Sequence, residues 1–400
     1  MEFAFTEEQK ELRQRFRDFI KKEMPPEVED WSGTYSTPES LAMARTFERR
    51  MAEAGWLAVA WPKEYGGGGF TFIEQAIVNE EKGYHGVPTV NGTGLNLAGP
   101  SLMIHGSEEQ KQKYLPPMTR GEVVWAQGFT EPGAGSDLAA LSTRAVQDGD
   151  DYVINGQKIF TSAAHVADYI YLATRTDPDA PKHRGISLFV VPTDAPGVTV
   201  RPLWMTGSYS GGKGVNKIGN ARNNEVFFDD VRVPATEMIG EKDRGWYVMA
   251  TTLDFERSGV GGVASKRRDF DELVEYCIET KVGGQRLIDV PKVKKILGDI
   301  GTRLEVLHLL CWRVIWMQSQ GIVPNSEASE GRLFEKSYTS WFARQAMAIL
   351  GPMGPLLDSK WAPLAGRIAG AYVPDQSVHA AGHSNIQRNI IANRGLGLPR

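Results

Sequence analysis

The periodicity of this chain changes twice, and the two changes leave few folds open. Up to about residue 121, apolar side chains recur at helical spacing. Leu12, Phe16, Phe19 and Ile20 follow a Thr6-Glu7-Glu8-Gln9 capping box, and Pro25-Pro26 stops that helix. Further helical stretches read over 38–54, 71–83, 94–105 and 107–115, with the turn-rich WPKEYGGGGF (61–70) as a break. From 122 the grammar is different. VVWAQGFTE, YVINGQKIFTS, YIYLATRT, ISLFVVPT, VTVRPL and NEVFFDDVRVP are short and rich in β-branched or aromatic residues, and Gly, Pro, Asn and Asp separate them. Pro234 closes this run. Helical patterns then return over 244–281, 290–320, 327–350, 358–371 and 384–393. The spacing predicts an α+β chain with a helical domain over 1–121, a β-domain over 122–236 and a helical domain over 237–400. No internal repeat or low-complexity segment interrupts that order.

The bulk composition narrows the class of partner. The 400 residues are 41% hydrophobic and 24% charged, ordinary for a globular chain of two or three domains. The net charge is −4 and Lys and Arg form no long run, which argues against nucleic acid. No apolar run reaches the length of a membrane span. MEFAFTEEQKELRQ opens straight into a helix pattern and resembles neither a signal nor a transit peptide, so a cytoplasmic, bacterial protein is expected. Cys277 and Cys311 lack metal-ligand spacing and read as reduced core thiols.

The stretch LDFERSGVGG (253–262) raises a chemical question. On a helix, Asp254 and Arg257 share a face, while Glu256 points roughly 160° away from Asp254. The face of Glu256 holds Met249, Thr252, Gly259, Val260 and Val263. If that face is buried, desolvation raises the carboxyl pKa toward neutrality, where a general base works well. The plainer reading is an exposed Glu paired with Arg257 or Lys266, because Glu is seldom fully buried.

Two further stretches break the local pattern. GFTEPGAGSD (128–137) ends the first strand of the β-domain with three glycines and a proline, flanked by Thr130, Ser136 and Asp137. Clustered backbone N–H groups and hydroxyls there suit a polar or anionic ligand, although a plain turn would read the same. The spacing is neither a dinucleotide fingerprint nor a P-loop. GQKIFTSAA (156–164) ends a strand with an aromatic and two hydroxyls, and Phe160 alone reads as core.

Together these motifs resemble the signatures of the acyl-CoA dehydrogenase family. The resemblance runs through GFTEPGAGSD, GQKIFTS, FFDDVRVP…IGEKDRGW (227–246), LDFER and SNIQRNIIANRGLGLPR (384–400), in order, over essentially the whole chain. It implies a helical domain, a barrel-like β-domain and a C-terminal four-helix domain. It also implies FAD, an acyl-CoA substrate desaturated between Cα and Cβ, an electron-transfer flavoprotein as acceptor and a homotetramer built as a dimer of dimers. By motif position Gln127, Gly128, Phe129 and Thr130 would lie along the flavin, with Gly135 and Ser136 at its pyrophosphate or the CoA arm. Phe160 stands where many relatives have Trp, beside Thr161, and Ser162 matches the hydroxyl near N5. Gly351, His383 and Asn385 are further cofactor positions, and Asp254 and Arg257 match residues that position the pantetheine and the helix.

The resemblance also speaks to the base. Many relatives carry it in a motif similar to YEGT…IQR, but the matching AAGHSNIQR (380–388) has Ala381 at the glutamate position. A smaller branch, including isovaleryl- and long-chain acyl-CoA dehydrogenases, places it on a helix reading LDLER or similar. LDFER thus implies Glu256 as base, with the Ala381 backbone N–H polarising the thioester carbonyl. His379 and His383 are the other candidates. Two departures concern FAD contacts across a subunit boundary: Thr280 stands where relatives often have Arg, and Ala348 where they have Gln. Competing readings are an oxidase that passes electrons to oxygen and a non-catalytic subunit of a hetero-oligomer.

Overall fold

The computed structural model describes residues 4–26, 38–204, 223–255, 260–357, 359–372 and 382–399. The chain begins with helices α1 (Glu7–Glu23), α2 (Pro38–Glu53), α3 (Phe72–His85), α4 (Gly99–His105) and α5 (Glu108–Thr119). Reciprocal capping boxes start three of them. At α1 the Thr6 hydroxyl accepts from Gln9 N while Gln9 Oε1 accepts from Thr6 N, and Thr71–Glu74 and Ser107–Gln110 repeat the arrangement at α3 and α5. A π-type turn, Gly94–Ala98, runs directly into α4.

The middle of the chain forms an eight-stranded sheet: β1 (Trp125–Gly128), β2 (Arg144–Asp148), β3 (Asp151–Lys158), β4 (Tyr169–Arg175), β5 (Ile186–Pro192), β6 (Val198–Leu203), β7 (Asn223–Pro234) and β8 (Met238–Ile239). The strand order is β6-β7-β3-β2-β4-β5-β8, with β1 parallel to β4. The expected barrel does not close. Among the described residues the edge strands β6 and β8 do not pair with each other, so the sheet stays open.

The central strands are buried on both faces. Ile170, Leu172, Phe189 and Val191 pack with Ile154, Val226, Phe228 and Val231 on one side. Tyr171, Ala173, Leu188 and Val190 face the other way, against Leu102, Tyr114, Leu115 and Trp125. That two-sided burial is why YIYLATR and ISLFVVP read as continuous apolar runs.

The C-terminal part holds α6 (Gly245–Phe255), α7 (Val260–Glu279), a short hairpin of β9 (Lys281–Val282) and β10 (Gln285–Arg286), α8 (Pro291–Ser319), α9 (Ser326–Leu350), α10 (Arg367–Tyr372) and α11 (Ser384–Ile390). The core of α7, α8 and α9 is built from Val263, Leu273, Ile300, Leu304, Leu307, Tyr338 and Ala346, joined by Ala76 of α3. Among the described residues no helix is long and apolar enough to cross a membrane.

Candidate functional site

The loop that follows β1 is locked at its base and open at its tip. Glu131 is 5% exposed, and both of its oxygens are engaged. Oε2 accepts from Ser142 N (2.7 Å) and Ser142 Oγ (2.8 Å), and Oε1 accepts from Thr143 N (2.8 Å) and Lys158 Nζ (2.7 Å). Lys158, the last residue of β3, is fully buried and also donates to the Phe129 carbonyl at 3.1 Å. Burial drives the Glu131 carboxyl upward, but the Lys158 charge and the four donors overcome it and hold the pKa below the usual range. Burial lowers the Lys158 ammonium, opposed by Glu131. The pair is ionic at neutral pH. A buried pair of this kind gives position more than stability.

The limbs of the loop are tied as well. Thr130 O accepts from Ile159 N (2.9 Å), and Glu131 and Ala134 exchange two backbone bonds (3.0 and 3.1 Å). Arg175 Nη2 donates to Ala139 O (2.5 Å). At the tip, Gly133, Gly135 and Ser136 are exposed, and a Cβ on either glycine would meet nothing within 4 Å among the described residues. The N–H groups of these three residues have no acceptor among the described residues.

The segment after β3 forms a second rim. Thr130 O and Ile159 N join it to the first, so Gln127, Gly128, Phe129, Thr130, Phe160, Thr161 and Ser162 come together at one end of the sheet. Phe160 has φ 56° and is 48% exposed, an aromatic ring turned outward from a left-handed backbone position. Such strain is retained where neighbours over-determine it. They do here: Asn224 O accepts from Thr161 N (3.0 Å), Asn224 Nδ2 donates to Thr161 O (3.0 Å), and Ser162 Oγ donates to Asn223 Oδ1 (2.7 Å). Thr161 is fully buried, and its Oγ1 has no partner among the described residues. An outward aromatic, an orphaned buried hydroxyl and an open cradle of N–H donors fit a cofactor with a flat ring and an anionic arm.

The other sequence-derived candidates are more scattered. Gly351 (φ 59°) caps the C-terminal end of α9. His383 Nδ1 accepts from Asn385 N (3.1 Å) and caps α11, and Asn385 Oδ1 accepts from Arg388 (3.0 Å). Arg394, beyond α11, meets Asn325 at the opposite end of α9 from Gly351 (3.2 Å). Thr280 ends α7 before the hairpin, and Ala348 is exposed on α9. Glu256, Arg257, His379, Ala381 and the side chain of Asp254 lie outside the described residues.

The surroundings of LDFER are nevertheless informative. On α6, Val248 and Met249 join the core beneath the sheet, whereas Val260 and Val263 of α7 join the bundle core. The described residues on either side of LDFER thus contribute to two different cores. Lys266, one of the two cations considered for Glu256, is engaged elsewhere: its Nζ lies 3.1 Å from Glu335 Oε1 and donates to Gly262 O at 3.3 Å.

Sequence reasoning missed Glu131, Lys158, Asn223 and Asn224. A signal existed for the buried pair. Lys158 shares strand parity with the inward-facing Tyr152 and Ile154, and a lysine on an inward face demands a buried acceptor.

Comparison with known proteins agrees along the whole chain. The acyl-CoA dehydrogenase N-terminal domain matches residues 6–122, the middle domain 126–231 and the C-terminal domain 243–396. The acyl-CoA dehydrogenase FadE26 of Mycobacterium tuberculosis is 36% identical over 100% of this chain and 99% of its own. Among solved structures, the ChsE4-ChsE5 complex from Mycobacterium tuberculosis aligns with a TM-score of 0.88 at 35% identity, covering 100% of both chains. The Tcur3481-Tcur3483 steroid ACAD gives 0.88 at 34% identity, also covering 100% of both.

Proposed function

Since the chain belongs to the acyl-CoA dehydrogenase family, whose members are FAD oxidoreductases, we propose that it desaturates an acyl-CoA thioester between Cα and Cβ with Glu256 as the base. The observation that carries this reading is the unbroken order of the three family domains along the whole chain. Bound FAD would supply the hydride acceptor. In this reading Glu256 takes the α-proton as the general base. The Ala381 N–H donates to the thioester oxygen as charge develops there. Gln127, Gly128, Phe129 and Thr130 form one wall for the cofactor ring, and Phe160, Thr161 and Ser162 the other. Gly135 and Ser136 offer N–H groups to a phosphate arm, Ser136 also to the CoA. Asp254 and Arg257 orient the pantetheine, and Gly351, His383 and Asn385 serve cofactor contacts from the helical domain.

Glu256→Gln tests the assignment. It keeps shape and hydrogen bonding but removes the proton acceptor, so anaerobic bleaching of the flavin by substrate should slow by about 10²–10⁴-fold with FAD content intact. Bleaching at the wild-type rate would move the role to His379 or His383.

The acyl group we infer is bulky, branched or ring-bearing near the reacting carbons. Ala381 offers only a methyl where many relatives place a long carboxylate, and one similar structure is described as a steroid ACAD. kcat/KM over matched linear, branched and cyclic acyl-CoAs decides this, and an optimum on straight medium chains refutes it.

For the assembly, two chains are named for each of the two similar structures, which supports a hetero-oligomer with a second acyl-CoA dehydrogenase-like chain over the homotetramer. Thr280 and Ala348 fit that reading, and the exposed stripe of Val306, Leu309 and Trp316 on α8 is a face for such a partner. A stable homotetramer of this chain alone with a full complement of FAD would count against it. Fast oxidation of the reduced enzyme by an electron-transfer flavoprotein, and slow oxidation by air, separates dehydrogenase from oxidase.

A further inference from the structure

We propose that Lys158 is a positioning residue for the flavin: held by Glu131, it fixes the Phe129–Thr130 peptide so that the Thr130 N–H faces outward as a strengthened donor to the ring. The inference rests on reading Gln127–Thr130 as a flavin wall. Its geometry comes from three observations.

Lys158 Nζ donates to the Phe129 carbonyl at 3.1 Å and to Glu131 Oε1 at 2.7 Å, and the side chain is fully buried. The Phe129–Thr130 peptide is trans, as are all described peptide bonds, so its C=O and N–H point to opposite sides. With the carbonyl turned inward to the ammonium, the Thr130 N–H is turned away from it, and it has no acceptor among the described residues. The next carbonyl, Thr130 O, is held by Ile159 N (2.9 Å), so the peptide cannot flip without breaking bonds on both sides.

A cation on a peptide carbonyl polarises the whole amide, because hydrogen bonds in series strengthen one another in a low-dielectric interior. The N–H at the far end becomes a better donor. A donor of that kind favours the form of a bound ring that carries more negative charge, which for a flavin is the reduced form. Glu131 does not cancel the effect. Its charge is spread over Ser142 and Thr143 as well as Lys158. Charge-assisted bonds are roughly twice as strong as neutral ones, so removing Lys158 should be visible both in affinity and in redox equilibrium.

The test uses the full-length protein, with its partner chain if FAD retention requires one. Lys158→Met alone leaves Glu131 buried without its cation, so the Lys158→Met/Glu131→Gln double variant, which removes both charges at similar volume, is measured beside it. FAD affinity is read by titrating the apoprotein, the flavin midpoint potential by equilibration with a reference dye, and the fold by thermal melting without FAD. Lys113→Met, at an exposed ion pair with Glu237, is the control.

The expected result for the double variant is FAD binding weaker by about tenfold or more, and a reduction equilibrium shifted by about tenfold toward the oxidised flavin. The control should show neither. Wild-type affinity and potential in a double variant whose only change is a lower melting temperature would overturn the proposal and leave the pair a structural one. Gly135→Val tests the underlying reading separately, because a Cβ there meets nothing within 4 Å among the described residues and a branched side chain would stand in the space proposed for the ligand. If Gly135→Val loses FAD while the Lys158 variants keep it unchanged, the positioning role alone falls. If Gly135→Val binds FAD normally, the flavin-wall reading falls and the inference with it.

Discussion

Adding one methyl group at Gly83 should loosen the helix on which the LDFER segment depends. Gly83 lies in α3 and faces Gly261 at the start of α7. A Cβ at Gly83 would sit 2.0 Å from the Gly261 carbonyl oxygen, 2.7 Å from its carbon and 3.0 Å from its Cα. The approach is mutual, since a Cβ at Gly261 would stand 3.0 Å from Asn79 O. Ordinary contact begins near 3.4 Å, so α3 and α7 must part by roughly 1.4 Å. The obstacle is backbone and has no rotamer to yield. Overpacking costs about 1–3 kcal/mol, and the better helix propensity of Ala returns about 1 kcal/mol. Gly83→Ala should therefore lose up to about 2 kcal/mol. Gly298→Ala supplies the contrast. It lies in α8 with nothing within 4 Å of a new Cβ among the described residues, so only the propensity term acts and the change should gain about 0.5–1 kcal/mol. Urea unfolding at unchanged m separates the two signs. Because α7 begins four residues after Glu256, the shift should also reach the proposed base, and misplacement of about 1 Å can cost on the order of 10²-fold in rate. A Gly83→Ala protein as stable as Gly298→Ala would refute the close-crossing argument.

Other groups make their own predictions. Glu48 is 1% exposed and accepts from Val90 N (2.6 Å) and Asn91 N (3.0 Å), yet burial outweighs those donors and raises its pKa. The folded chain thus holds the proton to higher pH than the unfolded chain. Stability relative to Glu48→Gln should be greatest below the ordinary value of 4.5 and decline as pH rises through the raised native pKa, and paired urea titrations showing an increase would contradict it. Burial pushes the Cys277 thiol up to about 11 and the Cys311 thiol up to about 12, so iodoacetamide at pH 8 should label neither in the native protein and both after denaturation. The pair Glu256→Ala with Ala381→Glu should recover part of the flavin reduction lost in Glu256→Ala, if both positions face the same Cα. No recovery at any pH in a protein that still binds FAD would show that position 381 does not face the substrate.

How much could be read from the chain depended on whether burial left a local trace. The capping box at Thr6 is written in four consecutive residues, and the structure forms it. β4 and β5 were legible because two cores cover them, which leaves little polar residue in either run. β2 was not. Of Arg144–Asp148 only Ala145 is buried, so the strand carries no alternation to detect and is held mainly by its ladder with β3. The β9–β10 hairpin was missed for the same reason, all four of its residues being exposed. The open edge of the sheet was also beyond local reading, because closure depends on what β6 and β8 meet rather than on their own composition. The apparently continuous helical pattern over 244–281 is described as α6 and α7, whose apolar residues serve different cores.

The same distinction governs the candidate site. The motif GFTEPGAGSD drew attention to its glycines and hydroxyls, but the residue that organises the loop is the charged one in the middle, Glu131. Its partner lies 27 residues away at the end of another strand. Sequence spacing does not connect them. Strand parity does, once the second strand is known to be buried on that face. The question that LDFER raises is the converse case. A desolvated glutamate needs walls from several elements, and the neighbours on its own helix supply only one of them. Here Val248 and Met249 are packed beneath the sheet, Val260 and Val263 in the bundle, and Lys266 is spent on Glu335. Of the two cations that could have made Glu256 an ordinary surface ion pair, one is already committed. Met249, Val260 and Val263, which helical spacing in the sequence sets on the same side as Glu256, are all buried, and a base that works by giving up hydration requires neighbours of that kind.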